Sequence, residues 1–282
     1  MQIKLTECPR DAMQGFDEFI PTKLKAKYIN AILKVGFDVV DFGSFVSHKA
    51  IPQLKDTVDV LNLLDLSEKK SKLLTIVANE RGATEAAAFQ SIDVLGFPFS
   101  VSEKFQLRNT NVTRLEALDS VKRILDITTS SNKQLRIYLS MGFGNPYGEE
   151  YSPEIVLDWA SRLREIGIEE LALSDTIGVA SKSIISPLFK SLKKELPSTE
   201  ISAHFHSAPH NWQEKVDEAF KSGCFSFDSA IKGFGGCPLA EDDLVGNLAT
   251  ENLMSFFDQN LSPSISKENF VYAMDIANEV FG

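Results

Sequence analysis

Ile3-Lys4-Leu5-Thr6-Glu7-Cys8-Pro9-Arg10-Asp11 is the stretch on which the fold class turns. Ile3 to Cys8 reads as a strand, and the residues at and just after its end separate two architectures. An open, doubly wound sheet that binds a nucleotide carries a glycine-rich phosphate turn after its first strand. Here Cys8-Pro9-Arg10-Asp11 stands in that place. Outward from it come seven more strand-like segments: Val39 to Phe45, Leu73 to Asn79, Ile92 to Phe97, Leu135 to Ser140, Glu170 to Asp175, Glu200 to His206 and Phe225 to Ile231. Most are apolar, as parallel strands covered on both faces must be. Between them run amphipathic patterns of helical period: Leu24 to Val35, stopped by Gly36, then Leu115 to Ile127, Ile155 to Ile166, Ile184 to Leu196 and Trp212 to Ser222. Ser152-Pro153-Glu154 and Ala208-Pro209-His210 read as helix starts. Strand and helix alternating eight times over ~250 residues predicts an α/β fold, the (β/α)8 TIM barrel. The doubly wound sheet is the architectural alternative. Ser262 to Phe281 is expected to form an extra C-terminal helix, and residues 1–282 a single catalytic domain.

The bulk properties narrow the class of function. With 43% hydrophobic and 24% charged residues, the 282-residue chain is ordinary for a globular protein. A net charge of −10 disfavours nucleic acid and anionic membranes as partners. It leaves room for an anionic small substrate, because a buried arginine or a metal ion dominates its local field. No apolar run approaches the ~20 residues of a membrane span. The start, Met1-Gln2-Ile3-Lys4-Leu5, has no signal-peptide core. Three scattered cysteines, Cys8, Cys224 and Cys237, argue against a disulfide framework, so the cytoplasm is the expected compartment.

Chemistry in such a barrel sits at the C-terminal strand ends. The polar residues collect there: Arg10 and Asp11 end the first strand, Asp41 and Ser44 the second, and Asn79 the third. Tyr138 and Ser140 end the fifth, Asp175 and Thr176 the sixth, and Gly235-Gly236-Cys237 and Asn247 come after the eighth. In Ala203-His204-Phe205-His206 the two histidines lie two apart on a strand, so both imidazoles project to one face, as a shared divalent cation requires. Two unconnected histidines are the plain alternative. Polar residues gathered at one end of the barrel favour an active face.

Six segments together resemble the 3-hydroxy-3-methylglutaryl-CoA lyases, a family of the barrel superfamily that includes isopropylmalate synthase. They are Glu7-Cys8-Pro9-Arg10-Asp11 with Gln14, Ser44-Phe45-Val46-Ser47, Ser174-Asp175-Thr176-Ile177-Gly178, the histidine pair, Gly233-Phe234-Gly235-Gly236-Cys237-Pro238, and Gly246-Asn247-Leu248-Ala249-Thr250-Glu251. The resemblance implies retro-Claisen cleavage of 3-hydroxy-3-methylglutaryl-CoA to acetyl-CoA and acetoacetate, a reaction of leucine degradation and ketone-body formation. It implies that Asp11, His204, His206 and Asn247 bind a divalent cation, Mg2+ or Mn2+. Arg10, Asp11, Asp41, His204 and Cys237 are then the expected catalytic residues. Gln14, Ser44, Asn79, Tyr138, Asp175 and Thr176 are expected, with Arg10, to bind an acyl-CoA substrate, and a homodimer is the expected assembly.

Three positions depart from the family pattern. Asp41 stands where a glutamate is usual, Ser207 where an acid comes after the second histidine, and the segment from Cys237 to Gly246 is longer and more acidic. There are two rival readings. A condensing enzyme of the isopropylmalate or citramalate synthase type shares the metal site, but the Gly235-Gly236-Cys237-Pro238 segment favours the lyase. A catalytically silent barrel that binds acyl-CoA would need no complete reaction set, whereas Arg10, Asp11, both histidines, Asn247 and Cys237 are all present.

Overall fold

The computed structural model describes residues 2–236 and 245–282. Cys237 and the acidic segment after it therefore lie outside the described residues. Eight parallel strands close on themselves in sequence order: β1 (Lys4–Glu7), β2 (Val39–Ser44), β3 (Lys72–Ile76), β4 (Val94–Ser100), β5 (Gln134–Ser140), β6 (Glu170–Asp175), β7 (Glu200–Phe205) and β8 (Ser226–Ser229). Closure of β8 on β1 removes the open-sheet alternative. The helices are α1 (Pro9–Gln14), α2 (Thr22–Val35), α3 (Thr57–Asn62), α4 (Glu80–Ala87), α5 (Glu103–Thr110), α6 (Arg114–Ser130), α7 (Pro153–Glu165), α8 (Lys182–Glu195), α9 (Trp212–Lys221), α10 (Thr250–Phe256) and α11 (Lys267–Phe281).

Strand period two divides the apolar side chains between two cores. Outward residues such as Val40, Phe42, Leu73 and Leu95 join the large core beneath the helices. Inward residues Val39, Leu74, Ile76, Val94, Tyr138 and Ala172 fill the barrel. That interior is tight: a Cβ on Gly96 would stand 2.7 Å from Ile76 Cδ1 and 2.9 Å from Tyr138 Cε2. Lower in the barrel, Arg136 donates from Nε to Glu170 at 2.6 Å and from a terminal nitrogen to Thr6 Oγ1 at 3.0 Å. The same terminal nitrogen lies 3.4 Å from Asp228 Oδ1.

The helix boundaries reflect local chemistry. Thr113 and Glu116 form a reciprocal capping box at the start of α6, Ser152 caps α7 ahead of Pro153, and α2 ends at Gly36 with φ of 92°. Two expected starts are displaced. Ala208-Pro209-His210 is a turn outside α9, closed by Asn211 Oδ1 accepting from the Ala208 amide. The C-terminal helix begins at Lys267 rather than Ser262, capped by Ser266. Pro9 sits at the first position of a short helix, α1, so Arg10 and Asp11 are displayed from a helix and not from a strand end. The last turn of α11 reaches the mouth of the barrel, where Phe281 stacks on Phe234 at 4.5 Å between centroids.

Candidate active site

The C-terminal mouth of the barrel opens into a cavity of about 390 Å3, whose lining includes Arg10, Asp11, Gln14, Tyr138, His204 and His206. Val46, Ile51, Ile76, Pro98 and Phe105 supply its apolar wall. At the polar end, one ligand atom each from Asp11, His204 and His206 lies within 4.8 Å of the others. His204 ends up on the inward face of β7 and His206 comes just beyond it, as their spacing dictates. Each ring has one nitrogen engaged at its back: His204 Nδ1 faces Asp228 Oδ2 at 3.2 Å, and His206 Nδ1 faces the Thr176 carbonyl at 3.2 Å. That leaves both Nε2 atoms toward the cavity side, and His206 Nε2 is buried without a hydrogen-bond partner. A buried acceptor with no partner is costly unless something fills it, and imidazoles backed by a carboxylate or carbonyl are the usual form of a metal-binding histidine.

The charge states suit a cation. Burial pushes His206 down to about 4, with His204 adding to the fall, so it is a neutral donor at pH 7. Burial alone would raise Asp11, but the Arg10 guanidinium and the two imidazoles outweigh it and hold the carboxyl below the usual range. One carboxylate and two imidazoles fit a divalent ion of hard to borderline character. A second grouping, Cys8 with His204 and Asp228, is also close enough. Its thiol is pushed well above its ordinary value by burial and by neighbouring carboxylates, so it does not supply a thiolate. Asp228 is already committed to Arg136 and His204.

Arg10 lies beside the cluster with four of its five N–H groups engaged among the described residues. Nε and Nη2 donate to Asp41 Oδ2 at 3.0 and 2.5 Å, while Nη1 donates to Asp11 Oδ1 at 2.9 Å and Gln14 Oε1 at 2.8 Å. Burial opposes the charge, but the two carboxylates hold Arg10 protonated. Asp41, with no solvent exposure, is pushed up to about 6 by burial against the pull of Arg10. It sits behind the guanidinium and does not line the cavity.

Asn247 is brought to Asp11 by glycines. Its Nδ2 donates to Asp11 Oδ2 at 2.7 Å and to the Phe234 carbonyl at 2.9 Å. A Cβ on Gly235, whose φ is 99°, would meet Asn247 Nδ2 at 2.6 Å and the Asp11 carbonyl at 2.7 Å. Only glycine allows this approach.

Other expected residues have different surroundings. Thr176 lines the cavity and accepts from the Met141 amide at 2.8 Å through Oγ1. Tyr138 meets the His204 ring edge-on at 5.5 Å, with its hydroxyl buried and unpartnered. Ser44 Oγ accepts from the Val46 amide, and Asn79 Oδ1 caps α4 through the Gly82 amide; neither lines the cavity. Asp175 is buried against Lys215, away from the cavity.

Lys215 is invisible to sequence reasoning, because a lysine on a helix reads as a solvated charge. On α9 its ammonium is instead buried, donating to Asp175 Oδ2 at 2.7 Å and to the Gly178 and His206 carbonyls at 2.8 Å each. Three donors meet three acceptors, tying α9 to the ends of β6 and β7 directly behind the histidine pair. Lys215→Met would strand Asp175 as an unpaired buried acid. It is expected to cost about 3–5 kcal/mol of unfolding free energy, read by urea denaturation; a loss within the ordinary surface range would show the pair to be dispensable.

Glu7 and Asp228 are the other residues missed. Glu7, fully buried, is pushed up to about 8 from 4.5 by desolvation. A carboxyl raised in this way binds its proton more tightly when folded than when unfolded. Its contribution to stability is therefore full below about pH 4.5 and is lost as pH rises through about 8. Wild type should lose unfolding free energy relative to Glu7→Gln across that window. Parallel pH profiles for the two proteins in urea denaturation would contradict the raised carboxyl.

A closed α/β barrel with a carboxylate and two imidazoles converging at its C-terminal mouth defines the class: a barrel enzyme with a group of side chains able to hold a cation. The chain belongs to the HMGL-like family, whose family model matches residues 3–276. It is 31% identical over 275 residues to the hydroxymethylglutaryl-CoA lyase YngG of Bacillus subtilis, covering 97% of this chain and 91% of that protein. Among solved structures it resembles the B. subtilis HMG-CoA lyase with a TM-score of 0.91, at 31% identity, covering 99% of this chain and 93% of the other. It also resembles an HMG-CoA lyase from A. baumannii in complex with coenzyme A and 3-methylmalate. There the TM-score is 0.90 at 25% identity, covering 99% and 91%.

Proposed function

We infer that this chain cleaves 3-hydroxy-3-methylglutaryl-CoA to acetyl-CoA and acetoacetate, as a carbon–carbon lyase. The convergence of Asp11, His204 and His206 beside a buried guanidinium carries the reading, within a chain of this family. Asp11, His204 and His206, with Asn247 alongside, would hold Mg2+ or Mn2+. Such a cation supplies Lewis acidity toward the oxygen groups of the substrate.

The protein's own groups account for the remaining requirements. Retro-Claisen cleavage needs the tertiary hydroxyl to lose a proton and the bond electrons to move toward the thioester carbonyl. Asp11 and His204 line the cavity and are our candidate proton acceptors. Asp41, behind Arg10, is assigned to hold the guanidinium in place. Arg10 then meets the developing thioester oxyanion with a donor preset and permanently charged. Gln14, Tyr138 and Thr176 line the cavity and would contact the acyl portion. Ser44, Asn79 and Asp175 would shape the loops around it. Cys237, outside the described residues, is our candidate for protonating the enolate carbon, since a thiol of ordinary pKa ~8.5 carries its proton at pH 7.

Residues 1–282 would act as one catalytic unit, in a reducing compartment such as the cytoplasm, with a homodimer as the assembly for light scattering to test. Purified protein incubated with 3-hydroxy-3-methylglutaryl-CoA and Mg2+ should yield acetoacetate. Absence of product, with turnover instead in a synthase assay, would favour the condensing reading.

The cysteines give a separate check. Cys8 is buried and pushed well above its ordinary value, and burial pushes Cys224 up to about 12. Brief iodoacetamide treatment of folded protein should label Cys237 first and leave the other two unmodified. Prior labelling of Cys8 or Cys224 would remove Cys237's claim to special reactivity.

A further inference from the structure

Glu7 is buried at the end of β1, four residues before Asp11, on the outward side of the strand from the cavity. Its two carboxyl oxygens are used separately. Oε1 accepts from the Ile231 amide at 2.8 Å, and Oε2 accepts from Thr250 Oγ1 at 2.6 Å. Ile231 and Thr250 stand at the two roots of the excursion that leaves β8 and returns to α10. Between those roots, on the described arms, lie Gly233, Phe234, Gly235 and Asn247.

The arms are also paired with each other. Ala230 bridges Ala249, with the Ala230 amide donating to the Leu248 carbonyl at 2.9 Å and the Thr250 amide to the Ala230 carbonyl at 3.2 Å. This pairing fixes one arm against the other but not against β1. The attachment to the first strand runs through Glu7, supplemented by the Cys8 amide, which donates to the Ser229 carbonyl at 2.8 Å. Asn247 must reach across to Asp11, just past the end of that same strand, and its Nδ2 does so at 2.7 Å. The error allowed in placing the returning arm is small, because a Cβ on Gly246 would stand 2.3 Å from the Gly233 carbonyl and one on Gly235 2.7 Å from the Asp11 carbonyl.

We propose that Glu7 is a positioning residue, a two-pronged hydrogen-bond clamp that fixes both arms of the β8–α10 excursion to β1 and so sets Asn247 against Asp11. The clamp acts through shape and hydrogen bonding rather than through charge. A glutamine at this position keeps an oxygen for the Ile231 amide. Its NH2 group can donate to Thr250 Oγ1, whose own proton then turns to Ser229 Oγ, 2.9 Å away. Alanine removes both prongs, and aspartate is one methylene too short to hold both.

The consequence for cation binding rests on the metal reading above; the positioning itself does not, so the test has two readouts. Hydrogen exchange is measured on intact protein without added metal, and Mn2+ affinity by calorimetry. In Glu7→Ala, amides of Ala230, Ile231 and Ser207, the last donating to the Gly246 carbonyl, should exchange about tenfold faster or more. Amides of β4 and β5, across the barrel, should be unchanged. Mn2+ affinity should fall by about tenfold or more, with Glu7→Asp resembling alanine. Glu7→Gln should stay within about threefold of wild type in both readouts, a margin well inside the effect of one lost buried hydrogen bond. Unchanged exchange at the three amides in Glu7→Ala overturns the proposal, as does acceleration spread evenly over the barrel or a glutamine variant as loose as alanine. If wild type binds no Mn2+, the metal reading fails, while hydrogen exchange still decides the clamp.

Discussion

Asp11→Ala is expected to abolish Mn2+ binding in a calorimetric titration and to leave no measurable cleavage of 3-hydroxy-3-methylglutaryl-CoA. Among the described residues, Asp11 is the sole carboxylate of the cluster with His204 and His206. Without it the site offers two imidazoles, one of them neutral at pH 7, and a nearby guanidinium that repels a cation. Loss of a supporting group behind a ligand already weakens binding by ~10–100-fold, and loss of the charged ligand itself should exceed that. The barrel should survive, because Asp11 belongs to the short helix α1 at the mouth and Arg10 keeps its paired contact with Asp41. Circular dichroism and the urea midpoint would establish that the protein is folded. His206→Ala should behave alike. Undiminished Mn2+ affinity in both variants would take the cation away from this cluster.

The second large effect is at Arg10. Arg10→Lys retains a positive charge yet should lower kcat by about 10²–10³, the usual scale for a lost oxyanion donor. The reason is geometric. The guanidinium spans two carboxylates and an amide through four bonds while leaving an N–H for the substrate, and a single ammonium cannot occupy those directions together. KM should move less than kcat, because the contact strengthens as charge develops on the thioester oxygen. A lysine variant with near wild-type kcat would reduce Arg10 to a neutralising charge.

The sequence was most readable where a physical constraint leaves a periodic mark. A parallel strand covered on both faces must be apolar nearly throughout, so all eight strands could be located. The two histidines share a face because of period two alone. The short helices escaped notice: α1, α3, α4 and α5 have six to eight residues each, too few for an amphipathic repeat to declare itself. Lys215, Glu7 and Asp228 escaped for another reason. A lone charged residue in a helix or strand carries no local sign that it is buried, since its partners come from distant segments: Asp175 is 40 residues from Lys215, and Thr250 is 243 from Glu7. Asn247 and Asp11, 236 residues apart, were paired only through the family pattern.

The polar line inside the barrel, from Glu170 through Arg136 and Asp228 to His204, has a bearing on how this chain can diverge. Arg136, Asp228 and His204 are buried and neutralise one another, with half-buried Glu170 at the outer end, so each buried member is tolerable only in the company of the next. Replacing Arg136 leaves Asp228 without its cation, and replacing Asp228 leaves the His204 ring without its carboxylate and Arg136 with Glu170 as its one remaining counter-charge among the described residues. Single-step substitution along the line is therefore closed to drift, and change there has to come as compensated pairs. The apolar wall of Val46, Ile51, Ile76 and Pro98 carries no such mutual dependence. Selection for a different acyl group would accordingly find its variation on that wall, while the line behind His204 is inherited as a block.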